Sequence, residues 1–385
     1  MSALLPISRF VVPEVIAGRG AHRLVGRSAA NLGATRVLVV TDAGVRAAGW
    51  TGSVVESLEA AGLEVVIFAA VTPNPRVAEV SAGAEAYRSG GCDAIVAVGG
   101  GSPVDCAKGI GIVTTNGGTI ADYDGLDRVP RPIPPLVCVP TTAGASADVS
   151  QFAIITDPGR HSKFAVVSKT LVPDVSLLDP LPLTTQSATL TAMAGFDAIS
   201  HAVEAIGSTA ATPLCDLLAL QAVRLLVDGV PRALRDPSDL AARAATMEGS
   251  LYAGMAFSNS SLGAAHAMAH ALGGELDLPH GSALAALLPP VVAYNFPAVP
   301  QAYRRLGEAL GIALPSDDVL AAAALAGRLR ELIVGFGLAT SLRQAGVDGA
   351  RIPDLARSAA EDPCLATNPR CPTPADLERL YELAL

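Results

Sequence analysis

The chain has 385 residues and a formal net charge of -9, and this is more length than one hydrophobic core normally serves, so two domains are expected. Half of its residues are apolar, 16% are charged and 4% are aromatic; that balance excludes a disordered chain and describes an Ala/Val/Leu-rich globular protein with a large core and some surface buried between subunits. The acidic excess, with no stripe of Lys and Arg, excludes a nucleic-acid binder.

Met1 to Val15 carries Arg9 and Glu14 around a short apolar stretch and lacks the basic-then-apolar order of a signal peptide. Arg36-Val-Leu-Val-Val-Thr41 opens a series of short β-branched runs, followed by Glu64–Phe68, Ala94–Val98 and Leu136–Val139. Segments with helical spacing of apolar residues, such as Val54–Ala61, separate them, which is the pattern of a parallel sheet covered by helices. Asp42 follows the first run. A carboxylate there can accept hydrogen bonds from a ribose and repel a 2'-phosphate, favouring NAD over NADP, or it can cap a helix beginning at Ala43.

The run ending at Val98 leads into Gly99-Gly100-Gly101-Ser102-Pro103-Val104-Asp105 and then a helix through Lys108 and Ile112. Three glycines let backbone amides approach an anion at the positive end of a helix, although the same run also serves as a plain tight turn. Ser102 is expected as the N-cap, Pro103 as the first helical residue and Asp105 as the third. Val104 stands where GxGxxG needs its last glycine, so an ordinary Rossmann fingerprint is not indicated.

After about Leu181 the character changes to Ala/Leu-rich helical periodicity, as in Pro213–Leu226, Leu240–Ala256 and Val319–Val334. The joint is placed at Leu181–Thr185, giving an α/β nucleotide-binding domain over 1–181, with helices on both faces of its sheet, and an all-helical metal-binding domain over 182–385. Four of the six histidines lie in this second half. Asp197 and His201 leave one helix face, as do His266 and His270, while His280 follows in Leu-Asp-Leu-Pro-His-Gly, where a turn brings its ring back toward that face. One such pair alone is more simply a surface helix interaction. Two pairs in apolar surroundings carry a burial cost that a metal resolves, and a carboxylate with three imidazoles suits iron or zinc with an open position. The longest charge-free apolar region, Gly281–Gln301, contains four prolines, which argue against a membrane span. The six cysteines, Cys92, Cys106, Cys138, Cys215, Cys364 and Cys371, have no CxxC spacing and read as small buried hydrophobes; a cytoplasmic protein is expected.

Several motifs in order, Gly18-Arg19-Gly20-Ala21, Val40-Thr41-Asp42, Pro73-Asn74-Pro75, Gly99 to Pro103, Pro140-Thr141-Thr142-Ala143-Gly144, the Asp197/His201 pair, Gly254 to Asn259, Gly263 to His270, Pro279-His280-Gly281 and Asn368-Pro369-Arg370, resemble the iron-containing (group III) alcohol dehydrogenases, which include lactaldehyde/propanediol oxidoreductases. The resemblance covers nearly the whole chain. It implies a dehydroquinate synthase-like architecture with the active site between the two domains, Asp197, His201, His266 and His280 as ligands of Fe2+ or Zn2+, and His270 as a non-ligand near the substrate. It also implies cofactor contacts from Asn74, Ser102, Thr141, Thr142 and Lys163.

With these, Asp42, Gly99, Gly100, Gly101, Asp105 and Ser150 complete the expected NAD site. Ala145 and Asp148 depart from the commonest threonine and glutamate of the family. Phe152 and Phe257 are expected as apolar pocket walls and Gln151 as a polar contact, for a small alcohol or aldehyde. His270 is the expected proton carrier. A polyol dehydrogenase, a synthase-type lyase and a metal-binding scaffold are the alternatives, and the lyase is disfavoured because a phosphorylated, carboxylated substrate needs many basic side chains. A homodimer or larger homo-oligomer is expected, with Phe10–Pro13 pairing across subunits.

Overall fold

A computed structural model describes residues 9–160 and 162–385; of the segment Met1 to Val15 read as lacking the order of a signal peptide, Met1 to Ser8 lie outside them. Nine strands are given in the described residues: β1 (Glu14–Ala17), β2 (Arg36–Asp42), β3 (Glu64–Val71), β4 (Ala94–Gly99), β5 (Gly125–Leu126), β6 (Leu136–Pro140), β7 (Phe152–Asp157), β8 (Ser162–Val167) and β9 (Val175–Leu178). Between and after them come α1 (Val25–Asn31), α2 (Ala43–Ala47), α3 (Trp50–Ala60), α4 (Val77–Ser89) and α5 (Gly101–Asn116).

The main sheet has the order β1-β9-β6-β4-β2-β3, with every pairing parallel. Its central strands are apolar at successive positions because both faces are covered. Leu38, Val40, Ile95, Ala97, Leu136 and Cys138 join Val80 and Ile110 of α4 and α5 in one core layer. Val37, Val39, Val96, Val98 and Val137 pack with Val25 and Leu58 of α1 and α3 in the other. The four β-branched runs of the sequence are β2, β3, β4 and β6, each extended by one to three residues. From β2 the chain steps outward to β3 and then returns past β2 to β4. The carboxyl ends of β2 and β4 therefore flank a topological switch point, the usual place for a ligand crevice. Asp42 ends β2, and Gly99–Gly101 end β4 and begin α5.

A smaller sheet, β5-β8-β7, pairs β7 and β8 antiparallel with Phe152 opposite Val167 and Thr156 opposite Lys163. It brings Phe152 and Lys163 to the edge of the same crevice.

From Ala188 onward the described residues form helices and turns: α6 (Ala188–Gly207), α7 (Pro213–Arg235), α8 (Leu240–Ser260), α9 (Ala264–Leu276), α10 (His280–Asn295), α11 (Pro300–Ala309), α12 (Asp318–Gly335), α13 (Ile352–Ala360) and α14 (Pro374–Ala384). Side chains of Ser187, Thr212, Asp239 and Asp317 accept first-turn amides and fix where α6, α7, α8 and α12 start. α6 is buried along most of its length, and its small residues let neighbours close in. A Cβ at Gly195 would fall 2.5 Å from Val230 Cγ2 of α7.

Pro289 and Pro290 do not break the Gly281–Gln301 region; they lie inside α10. Burial against α6, α9, α12 and α14 outweighs the backbone hydrogen bonds that the two prolines forgo. The conclusion about membranes stands on length instead: α10 has 16 residues, and no described helix is long and apolar enough to cross a membrane. In the N-terminal segment, the Asn259 side chain accepts from Val11 N at 2.7 Å and donates to Val11 O at 3.0 Å. The main chain at Val11 is thus paired within its own chain.

Candidate active site

A cavity of about 920 Å3 runs from the switch point of the sheet to the facing ends of α6, α9 and α10. At its outer end Asp42 caps α2, Oδ1 accepting from Val45 N at 2.8 Å, and its side chain lines the cavity. Capping engages one oxygen and leaves the other for a ribose, so the two readings of Asp42 are compatible.

Gly100 and Gly101 lie flush against the loop after β6, and Gly99 against Pro103 of α5. A Cβ at Gly99, whose φ is +155°, would meet Pro103 Cγ at 2.4 Å, one at Gly100 would meet Thr142 Oγ1 at 2.9 Å, and one at Gly101 would meet Ala145 Cβ at 2.8 Å. The expected cap is corrected here. Gly100, not Ser102, is the N-cap of α5, and it makes no side-chain cap bond. Gly101 already adopts helical geometry, so Ser102 falls inside the first turn, where its Oγ accepts from Asn74 N at 3.2 Å. No side chain caps the first amides of α5, which suits an anion approaching from the cavity.

Thr141 donates its amide to Gly99 O at 2.9 Å and accepts Gln186 Nε2 at 2.7 Å, and Thr141, Thr142 and Ala145 all line the cavity. Asp148 lies elsewhere, buried and accepting from Ser176 Oγ at 2.7 Å, so that departure from the family pattern concerns the sheet rather than the cavity.

Asn74 bridges the cleft. Its Oδ1 accepts from Lys163 Nζ at 2.8 Å, and its Nδ2 donates to Asp277 Oδ1 at 2.6 Å. Both Asn74 and Asp277 adopt left-handed backbone, with φ of 59° and 51°, a conformation that Asn and Asp tolerate better than most residues. Burial pushes Lys163 down to about 8, resisted by Asp277, Asp105 and Asp197. Burial likewise pushes Asp105 up to about 7 against Lys108 and Lys163. Ser150 lines the cavity too, held by a residue the sequence reading missed. The buried Lys108 donates from Nζ to the carbonyls of Ala147, Ser150 and Phe152 at 2.6, 2.8 and 2.7 Å, pinning the loop that carries Ser150 to Phe152.

At the inner end four side chains converge. Asp197 and His201 project from α6, His266 from α9, and His280 is the first residue of α10 rather than part of a turn. Asp197 Oδ1 lies 3.6 Å from His201 Nε2, 3.7 Å from His266 Nε2 and 3.7 Å from His280 Nε2. A Cβ at Gly281 would fall 2.5 Å from Met193 O, so the glycine after His280 lets α10 begin against α6.

Asp197 Oδ1 and His266 Nε2 are buried without a hydrogen-bond partner. Orphaned polar atoms facing one another at these separations are what a divalent cation satisfies, and the donor set of one carboxylate and three imidazoles fits iron or zinc. Burial opposes the charge on Asp197, but the ring of histidines, His201 first, more than offsets it and holds the carboxyl below the usual range. Burial pushes His201 down to about 4 and His280 well down. His266 goes the other way, to about 9, because Glu204 and Asp197 outweigh its burial.

Glu204 is another residue the sequence reading missed. It accepts His266 Nδ1 at 2.5 Å, together with the amides of Gly263 and Ala265 at 3.1 and 2.7 Å. One buried carboxylate thus starts α9 and turns the His266 ring so that Nε2 faces Asp197. Its spacing, seven residues after Asp197 on α6, was the available signal. His270 lies beside the ring, its imidazole stacked on His280 at 5.4 Å, and its Nδ1 is 2.8 Å from Asp362 Oδ2. His270 holds the Asp362 carboxyl down at about 2 despite burial. Nothing in the sequence marks Asp362, which lies 92 positions away.

Phe152 and Phe257 line the cavity with ring centroids 5.7 Å apart, and Phe257 stacks on His201 at 4.3 Å. Gln151 does not line it, contrary to expectation. Strand alternation turns its side chain away from Phe152, where Nε2 donates to Ser258 O at 2.7 Å and Oε1 accepts from Arg9 at 2.9 Å.

The fold and cavity define a class, a parallel α/β half joined to a helical half with the cavity between them. Comparison with known proteins narrows it. The family model described as iron-containing alcohol dehydrogenase matches residues 13–180, and that of the Fe-containing alcohol dehydrogenase family, C-terminal, matches residues 191–385. The chain is 40% identical over 379 residues to 1,3-propanediol dehydrogenase of Citrobacter freundii, covering 97% of this chain and 98% of that one. It is 36% identical to NAD-dependent methanol dehydrogenase of Bacillus methanolicus over 377 residues, covering 98% and 99%. A crystal structure of 1,3-propanediol oxidoreductase superimposes with a TM-score of 0.95 at 38% identity, covering 99% of this chain and 100% of that one. The chain belongs to the iron-containing alcohol dehydrogenase family and is an oxidoreductase of that family.

Proposed function

We propose that this protein oxidises a small aliphatic alcohol with NAD+, or reduces the aldehyde with NADH, at a divalent metal, Fe2+ in the first place, held by Asp197, His201, His266 and His280. The observation that carries this reading is the pair of buried, unpartnered atoms, Asp197 Oδ1 and His266 Nε2, at the inner end of a cavity whose outer end is the glycine turn and Asp42. When bound, the metal supplies Lewis acidity toward the substrate oxygen and NAD supplies the hydride acceptor.

The chain's own residues do the rest. The amides of α5, Thr142 and Asp42 hold the cofactor, with Asn74, Ser102, Asp105, Thr141, Ser150 and Lys163 along its path. Phe152, Phe257 and Leu262 receive the aliphatic part of the substrate and exclude water. His270, its Nδ1 held by Asp362, accepts the hydroxyl proton through Nε2 and returns it to solvent. The cavity wall offers one lysine and no arginine among the described residues, which favours an uncharged substrate over a phosphorylated one. The reading includes domains over 1–181 and 182–385, a homodimer or larger assembly, and a cytoplasmic setting, the last supported by six unpaired cysteines.

The test is NADH formation with Fe2+ across short alcohols and diols. Turnover with NAD+ is expected at least about tenfold above that with NADP+, and Asp42→Gly is expected to narrow the gap by relieving repulsion of the 2'-phosphate. No turnover with metal and NAD+ both bound would refute the proposal. For the proton route, His270→Ala is expected to keep its metal and to lose about 10²-fold in kcat with a changed pH-rate profile. Unchanged kinetics in that variant would remove His270 from the mechanism.

A further inference from the structure

A second group of metal-binding side chains abuts the first and is not used by the proposed ligand set. His270 on α9, Asp362 and Cys364 present one donor atom each, all within 4.8 Å of one another. Asp362 is the N-cap of the short 3-10 turn Pro363–Thr367. One of its oxygens accepts Cys364 N at 2.8 Å and the other lies 2.8 Å from His270 Nδ1. The Asp-x-Cys spacing across that turn sets carboxylate and thiol side by side. His270 and Cys364 both line the cavity, so the group is reachable from the side where substrate enters. A histidine–aspartate pair that only orients the imidazole has no need of sulfur beside it.

We propose that His270, Asp362 and Cys364 form a second cation site, selective for a borderline or soft divalent ion such as Zn2+ or Cd2+. A nitrogen, an oxygen and a sulfur ligand with a fourth position open to the cavity is a zinc-type donor set, and the thiolate disfavours Mg2+ and Ca2+. The protons balance as follows. Cys364 loses its proton to solvent, and His270 keeps its proton, which moves from Nδ1 to Nε2 as Nδ1 becomes a ligand. With Asp362 ionised, one dication against a carboxylate and a thiolate leaves the buried group neutral. Because Nε2 is then protonated, an occupied second site blocks proton acceptance by His270, and the ion acts as an inhibitor. Occupancy itself does not depend on the dehydrogenase reading; only this inhibition does.

The test exploits the sulfur. The Asp197 group contains no thiolate, so thiolate-to-metal charge transfer in the near ultraviolet reports the second site alone. Titrating the metal-free protein with Co2+ is expected to bring first the visible bands of a nitrogen/oxygen site and then, with a second ion per chain, the charge-transfer band. Cys364→Ser is expected to abolish that band and to weaken the second binding step at least about tenfold, while Cys371→Ser leaves both unchanged. Binding of one ion per chain, a second ion without charge transfer in the wild type, or a band that survives Cys364→Ser would each overturn the proposal. The wild-type titration decides the matter even if Cys364→Ser does not fold. Turnover regained with the first equivalent of Fe2+ reports separately on the dehydrogenase reading.

Discussion

Asp197→Ala is expected to give a folded protein that no longer retains its divalent ion and turns over on the order of 10³-fold more slowly, because the metal's share of charge stabilisation amounts to several kcal/mol. Asp197 is the one carboxylate of the four proposed ligands, and its Oδ1 is the atom on which the three imidazoles converge at 3.6 to 3.7 Å. Without it, three neutral nitrogens must hold a dication inside an apolar helix bundle, with no anion among them to offset its desolvation. The fold is affected as well. In the metal-free protein burial opposes the charge on Asp197, but the surrounding histidines, His201 first, outweigh it and hold the carboxyl below its usual range, so its removal forfeits that stabilisation and the metal-free Tm at neutral pH should fall. Metal content after dialysis, kcat and Tm with and without Fe2+ together check the claim. A variant that keeps one tightly held ion per chain, or whose Tm still climbs on adding metal, would refute the assignment.

The parts of this site that were legible in the sequence are those set by periodicity. β2, β4 and β6 are nearly continuous apolar runs because both faces of the sheet are covered there, β3 is an apolar edge strand that is partly exposed, and Asp197 and His201 repeat with the helical period along α6. The parts that were not legible depend on tertiary contact. β7 and β8 mix polar and apolar residues and pair with each other in a separate small sheet, so neither stands out alone. Residue preference points to Ser102 as the cap of α5, but Gly100 is the cap and Gly101 begins the helix, with no side-chain cap bond. Gln151 and Phe152 are neighbours in sequence, and only strand alternation decides that Phe152 lines the cavity while Gln151 bonds to Ser258 and Arg9. Lys108 acts on a loop 39 to 44 positions away, and Asp362 on a histidine of α9 that lies 92 positions away, beyond the reach of any local pattern. Glu204 was within reach, since Asp197, His201 and Glu204 form one i, i+4, i+7 face of α6.

Glu204→Ala is expected to damage the metal site without removing a ligand. Outer partners of metal-bound histidines are typically worth about 10–100-fold in metal affinity, and here the same carboxylate also takes the amides of Gly263 and Ala265 at the start of α9. Losing it strands those donors and the His266 ring, at a cost of about 3–5 kcal/mol when one member of a buried charged pair is removed. Glu204→Gln separates the two roles: an amide oxygen still accepts from α9 and restores most of the Tm, but without the charge it leaves metal affinity low. The pH dependence supplies a further check. Metal-free His266 is raised from 6.5 to about 9, chiefly by Glu204 against the opposing effect of burial. Its raised pKa therefore stabilises the metal-free fold fully below pH 6.5, and that stabilisation is lost as pH rises through about 9. Metal binding requires the same Nε2 unprotonated, so affinity should climb across this window, with up to one proton released per ion bound. In Glu204→Gln both slopes should flatten. If that variant bound metal as tightly as the wild type and kept the same decline in metal-free Tm between neutral and alkaline pH, Glu204 would be a helix cap and nothing more.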